Sequence, residues 1–203
     1  MLLELKNVSK KFNQQIVLDD VDFSVDTGKL ILIRGANGSG KSTIFKLIVK
    51  IIEADSGEIV IDDNANIGAL IENPMFMEDS NFKNNMKFLA KIKNNFDESV
   101  IKDLTKRLGL DYDNKLKLSK YSIGMRQKAG IIQAIMEEQN LILLDEPTRG
   151  LDQDALPKFF AIINELIAND KTVIITSHEF LNDLNFDATY ELKEGKLSLK
   201  QEN

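Results

Sequence analysis

The chain has 203 residues, enough for one domain or two small ones with a sizeable core. Hydrophobic residues make up 43% and charged residues 29%, an ordinary globular balance, and 26 Lys plus Arg against 32 Asp plus Glu leave a net charge of −6, so no broad basic field for nucleic acid is expected. There is no cysteine, which excludes disulfides and thiolate metal sites, and no apolar run approaches the ~18 residues that a membrane span needs. The start, Met1-Leu2-Leu3-Glu4-Leu5-Lys6, lacks a basic segment followed by an apolar one, so the protein is expected in the cytoplasm, reaching any membrane through a partner.

Leu2 to Val8 and Ile16 to Val25 alternate apolar and polar residues, as strands with one wet face do. Between them, Ser9 to Gln15 reads as a polar turn carrying one aromatic, Phe12, which either folds back on the sheet or stacks on a nucleotide base; folding back is the commoner fate of such a ring. The apolar run Leu30-Ile31-Leu32-Ile33 then enters Arg34-Gly35-Ala36-Asn37-Gly38-Ser39-Gly40-Lys41-Ser42-Thr43, followed by the helix-like Ile44 to Val49. A strand leading into G-x-x-x-x-G-K-S and out into a helix is a phosphate-binding loop in its confirming context. Glycines let successive backbone N–H groups point at phosphate oxygens, and the helix presents its positive end to the same anion. Lys41 reaches the β- and γ-oxygens as a point charge, while the Ser42 hydroxyl is placed for Mg²⁺.

Gly57 to Ile61 and Asn66 to Ile71 read as two short strands, each preceded by turn residues. From Asn81 to Leu110 the period changes: Phe82, Met86, Leu89 and Ile92, then Val100, Leu104 and Leu108, recur at helical spacing, as a helical insertion between sheet segments would. The soft apolar cluster Pro74-Met75-Phe76-Met77 with Phe82, Met86 and Phe88 is either the core of that insertion or a groove for a partner's helix. Ser122 reads as the N-cap of a helix running on through Ala129 to Met136, with free N–H groups that can serve as a second anion site.

Leu141-Ile142-Leu143-Leu144-Asp145-Glu146 is a strand apolar on both faces, as a parallel sheet requires, ending in two carboxylates where such sheets bind ligands. Asp145 can hold Mg²⁺ directly or through water, and Glu146 can polarise an attacking water. After Gly150-Leu151-Asp152, a helix is expected over about Leu156 to Ala168, with Pro157 in its first turn. Thr172 to Ser177 is a second buried strand, and it delivers His178, the single histidine. A lone histidine at a strand end is commonly structural, but one delivered at the same sheet end as Asp145 is placed to contact a γ-phosphate. Tyr190 to Leu199 reads as a hairpin turning at Glu194-Gly195.

In this order, the motifs resemble the nucleotide-binding subunits of ABC transporters over nearly the whole chain. The resemblance implies an α/β P-loop ATPase cassette: a mostly parallel core sheet, an antiparallel β region and a helical subdomain at about 73–136, in a single domain over 1–203. It implies that Phe12 stacks on adenine and that Gly35, Ala36, Asn37, Gly38, Ser39, Gly40, Lys41, Ser42 and Thr43 form the Walker A loop. Leu141 to Glu146 match Walker B with its catalytic glutamate, and Gly150 to Asp152 the D-loop. Ser122, Gly124 and Gln127 fall on the signature, and His178 on the switch histidine. Catalysis then rests on Glu146, His178 and Lys41, and Mg²⁺ on Ser42, Asp145 and Glu72, which stands where the family has its Q-loop glutamine. Two cassettes would meet head to tail, with each ATP between one Walker A and the other's signature.

Glu72 in Ala69-Leu70-Ile71-Glu72-Asn73-Pro74 and the variant signature Tyr121-Ser122-Ile123-Gly124-Met125 resemble the branch that exports bacitracin or lantibiotic-like peptides and confers self-protection. That implies a separate transmembrane permease, peripheral attachment at the inner face of the membrane, and no nucleic acid partner. The alternatives are a transporter for another solute or a soluble ABC ATPase acting on DNA or ribosomes. The latter typically carry long coiled-coil insertions or tandem cassettes, neither of which is present. A non-hydrolysing regulatory binder is disfavoured by the presence of both Glu146 and His178.

Overall fold

A computed structural model describes residues 1–92 and 96–202. Among the described residues, two sheets, five α-helices and one short 3₁₀ turn (Leu118–Lys120) build the fold. The smaller sheet is antiparallel: β1 (Leu3–Phe12) lies between β2 (Gln15–Val25) and β4 (Ser56–Ile61). The larger one contains β3 (Leu30–Arg34), β5 (Ile67–Leu70), β6 (Leu141–Asp145), β7 (Thr172–Ser177), β8 (Ala188–Lys193) and β9 (Lys196–Glu202), in the order β5-β6-β7-β3-β8-β9. Its first five strands are parallel, and β9 returns antiparallel on β8. Glu194 (φ 50°) and Gly195 (φ 78°) form the tight turn between them, both left-handed as a two-residue hairpin turn requires.

The central strands show why their sequences are apolar without alternation. Leu30, Leu32, Ile142, Leu144, Val173 and Ile175 bury against helices on one face. Their neighbours Ile31, Ile33, Leu141, Leu143 and Ile174 bury on the other, against α1 (Lys41–Ile48) and the antiparallel sheet. Side chains alternate with a period of two, so both faces must be apolar when both are covered. The first face carries α4 (Ile123–Ile135) and α5 (Leu156–Ala168), with α2 (Phe82–Ile92) and α3 (Glu98–Arg107) packed beside α4. Contact between α4 and β5 is close enough that a Cβ on Gly68 would lie 1.8 Å from the Ala134 carbonyl oxygen.

Several expectations shift. β1 runs on through Phe12, because Lys10, Lys11 and Phe12 keep antiparallel partners in Leu18, Ile16 and Gln15; the turn shrinks to two residues. In α2 the buried face is Phe82, Asn85, Met86 and Ala90, while Phe88 and Ile92 face outward. Asn85 tolerates this burial because its amide bonds the Met77 N–H and the carbonyls of Met77 and Asn81. In α3 the inward stripe is Ile101, Leu104 and Thr105, continued by Leu108, which leaves Val100 exposed one step around the helix. Two apolar rows were open to each helix, and packing on α4 selects one. The expected helical run Asn81 to Leu110 also spans 93–95, which lie outside the described residues. α2, α3 and α4 all fall within 73–136.

Candidate functional site

Three adjacent parallel strands end at one sheet edge, and each delivers a motif there. β3 leads into the glycine loop, β6 ends in Asp145 with Glu146 directly after it, and β7 leads into His178. Parallel pairing in the order β6-β7-β3 is what brings these distant segments together. The loop holds its shape through backbone bonds from Ser39 N to Ala36 O and from Thr43 and Ile44 N to Gly40 O. Gly38 (φ 79°) and Gly40 (φ 105°) are left-handed, and a Cβ on Gly40 would meet a Val17 methyl at 2.8 Å. Gly40 caps α1 with no side-chain acceptor, so the helix's first N–H groups remain available to an anion.

Lys41 is 5% exposed. Its Nζ donates to the carbonyls of Gly35 at 2.7 Å and Ala36 at 3.1 Å and stands 3.2 Å from Glu146 Oε1. The other oxygen, Glu146 Oε2, lies 2.9 Å from His178 Nδ1. Glu146 sits at φ 47°, a left-handed conformation that costs a non-glycine residue about 1–3 kcal/mol and is retained where surrounding structure fixes it. Here the fixing comes from Thr176, whose carbonyl and hydroxyl both accept the Glu146 N–H, at 3.1 and 3.2 Å. The Thr176 hydroxyl also donates to Asp145 Oδ1, and Ser42 Oγ donates to Asp145 Oδ2 at 2.6 Å.

Of these groups, Lys41, Ser42, Asp145 and Glu146 line a cavity of about 530 Å³ together with Phe12, Asn37, Gly38, Gly40, Thr43, Gln127 and Arg149, while His178 and Thr176 stand behind that wall. Phe12 is 44% exposed at its rim, so the ring does not fold back into the sheet. Ser42 and Asp145 offer touching hard oxygens, a donor pair suited to Mg²⁺, which takes one or two protein oxygens and fills its remaining positions with water and phosphate. Among the described residues no group of three or more His, Cys, Asp or Glu could hold a metal.

Glu72 departs from the expected metal set. Its residue borders the cavity at the end of β5, but the carboxylate pairs with Lys46 Nζ of α1, and only its backbone N–H faces the metal pair, donating to Asp145 Oδ2 at 3.1 Å. The left-handed backbone at Glu72 (φ 54°) turns the side chain away. Gln127 is also placed differently from the shared-site reading: it is 6% exposed and its amide donates to the Glu146 carbonyl of its own chain at 3.1 Å. Five positions beyond Ser122 on α4, it faces the sheet.

Ser122 does cap α4, accepting from Met125 N at 3.2 Å. Gly124 lies under the loop after β6, where a Cβ would meet Gly150 O at 2.4 Å. Asp152 accepts from Ala155 N at 2.8 Å and pairs with Lys128 Nζ at 2.8 Å; the bond from Lys128 holds its carboxyl below the usual range. Ser122, Gly124 and Asp152 are thus not among the residues lining the cavity of their own chain. Three participants escaped sequence reasoning. Thr176 carries a signal, a buried hydroxyl inside an apolar strand; Arg149 and Lys46 look like ordinary surface cations.

The family described as ABC transporter matches residues 18–149. The uncharacterized ABC transporter ATP-binding protein YybJ of Bacillus subtilis strain 168 is 31% identical over 98% of this chain and 96% of its own. The lantibiotic transport ATP-binding protein SrtF of Streptococcus pyogenes is 30% identical over 99% and 91%. The bacitracin transport ATP-binding protein BcrA of Enterococcus faecalis is 29% identical over 87% and 61%. A solved ATP-binding subunit of an ABC transporter superposes with a TM-score of 0.87 at 27% identity, covering 97% of this chain and 88% of that one.

Proposed function

The chain belongs to the ABC transporter family as one of its ATP-binding, ATP-hydrolysing subunits, and from that premise we propose how its residues divide the work and what it drives. ATP lies in the cavity with its base on Phe12 and its phosphates in the loop Gly35 to Thr43. Lys41 leaves the Gly35 and Ala36 carbonyls for the β- and γ-oxygens, a trade of neutral acceptors for charged ones. Ser42 and Asp145 would hold Mg²⁺, which would supply charge neutralisation to the phosphates. Glu146 orients and accepts a proton from the attacking water, and His178 fixes the carboxylate from its other oxygen. The observation that carries this reading is the chain Lys41–Glu146–His178 at 3.2 and 2.9 Å across the mouth of the glycine loop.

Ser122, Gly124 and Asp152, absent from their own cavity's lining, serve the ATP of a second cassette in a head-to-tail dimer. The N–H groups at the Ser122 cap are suited to a γ-phosphate arriving from outside the chain. No described helix is long and apolar enough to cross a membrane; membership of the ABC transporter family and the transport-named relatives support a separate permease as partner, with the subunit peripheral on the membrane's inner face. The groove for it is a cavity of about 910 Å³ beside Glu72, floored by Ile67 and Ala69 and rimmed by Met75, which is 94% exposed. The relatives named for lantibiotic and bacitracin transport support a peptide antibiotic or similar amphipathic compound as cargo. Glu146→Gln tests the shared site: hydrolysis should fall at least ~10²-fold with ATP binding kept, and the dimer should accumulate. Size-exclusion chromatography in Mg-ATP that shows monomer alone would defeat the head-to-tail reading.

A further inference from the structure

The segment after β7 carries an aromatic residue that the hydrolytic machinery does not account for. Phe180 lies two residues beyond His178 and is 65% exposed, an unusual position for a phenyl ring with no core to enter. Its face is nonetheless taken: the Arg34 guanidinium carbon stands 3.3 Å from the ring centroid, well inside the ~6 Å reach of a cation–π contact. The Arg34 Nε is buried with no hydrogen-bond partner among the described residues, so at that nitrogen no acceptor competes with the ring. Arg34 is the last residue of β3, immediately before Gly35, and stands opposite Ser177 in the ladder between β3 and β7. The stack therefore ties the strand that carries the phosphate loop to the segment that carries His178. Between the two, the Glu179 N–H donates to Ser177 Oγ at 3.0 Å and the Glu179 carboxylate lies 3.6 Å from His178 Nε2.

We infer that Arg34 and Phe180 are positioning residues for hydrolysis: their stack holds the segment 178–180 so that the His178 ring meets Glu146. This rests on the reading of Glu146 and His178 as the hydrolytic pair. Without the stack, the described side-chain contacts of His178 are the two to Glu146 and Glu179, and the imidazole, 46% exposed, is free to turn to solvent. The contact acts on turnover and leaves the nucleotide cavity, whose lining includes neither residue, unchanged.

Phe180→Leu, which keeps an apolar side chain and removes the π face, is the first variant. Its kcat for ATP should fall about 2- to 30-fold, the range of one such contact, with KM for ATP unchanged. Phe180→Tyr should restore kcat, and Arg34→Met should lower it as Phe180→Leu does, with no further loss in the double variant. Because the chain has one histidine, ¹⁵N-labelled imidazole gives a signal from His178 alone. In Phe180→Leu its Nδ1 shift should move to the value found in Glu146→Ala. An exposed ring is removed without a core cavity, so the thermal midpoint should hold, and comparing it guards against simple misfolding. Wild-type kcat and an unmoved Nδ1 shift in Phe180→Leu would overturn the inference. A wild-type protein that fails to hydrolyse ATP would instead defeat the reading of the hydrolytic pair.

Discussion

Replacing Glu72 by Gln removes the charge that faces Lys46 and leaves the backbone N–H on Asp145 in place. The side chains of this ion pair are 55% and 28% exposed, so water screens it and its loss should cost about 0.2–1 kcal/mol. For a chain of this size that is a fall in Tm of at most about 4 °C. Because the carboxylate sits on Lys46 and away from the Ser42–Asp145 pair, half-saturation of ATPase activity by free Mg²⁺ should stay within about twofold of wild type. Lys46→Met applies the opposite perturbation, releasing the carboxylate, and should be equally indifferent to Mg²⁺. Glu72→Gly loses the pair but relaxes the left-handed backbone, worth about 1–2 kcal/mol, so its Tm should equal or exceed that of Glu72→Gln. Titrations of ATPase rate against free Mg²⁺ in the four proteins decide the matter. A several-fold rise in the half-saturating concentration for Glu72→Gln, with a fall for Lys46→Met, would refute the assignment and return Glu72 to the metal.

Phe12→Ala should weaken ATP binding about 5-fold or more while Phe12→Trp keeps it, checked by calorimetric titration, because stacking on a base is worth about 1–3 kcal/mol. Gly68→Ala should unfold the contact between α4 and β5, since a Cβ 1.8 Å from Ala134 O has only backbone to displace; a loss of more than about 3 kcal/mol in urea unfolding is expected. Tyr112 is pushed up to about 12, first by burial and then by the Glu98 charge, so the native state holds its proton more tightly than the unfolded chain. That stability is complete below pH 10.0, where a free tyrosine ordinarily titrates, and is lost as pH rises to about 12. Over this window stability should fall less steeply in Tyr112→Phe than in wild type.

Most of the scaffold was legible because its signals are local. The doubled apolar runs Leu30 to Ile33, Leu141 to Leu144 and Val173 to Ile175 announce strands covered on both faces, and the helix Leu156–Ala168 coincides with its apolar span. Ser122 showed its cap because a capping hydroxyl acts within three residues. What was not legible depends on which face or direction a tertiary neighbour selects. Val100 and Ile92 fit helical rows that α4 does not meet, and Phe12 lies at the end of a ladder whose length is set by β2. The carboxylate of Glu72 is aimed by a positive φ and by a lysine 26 positions earlier, neither of which its immediate neighbours in sequence encode. Gln127 likewise carried the right residue type, but its place on α4 turns it toward the Glu146 carbonyl.

The buried ammonium of Lys41 already has two carbonyls and a carboxylate around it. Loading the site is therefore an exchange of counter-ions and not the filling of a bare positive hole. On the proposed reading of Lys41, an incoming polyphosphate must out-compete Glu146 for the same cation, which lowers its apparent affinity by the fraction of time that Lys41 stays engaged. Singly charged anions have little to offer against three partners, so chloride or bicarbonate at cellular levels should leave the loop unpoisoned. The same exchange gives the departing product a competitor waiting in the wall: once the γ-phosphate is gone, Glu146 can reclaim the ammonium and help the diphosphate leave.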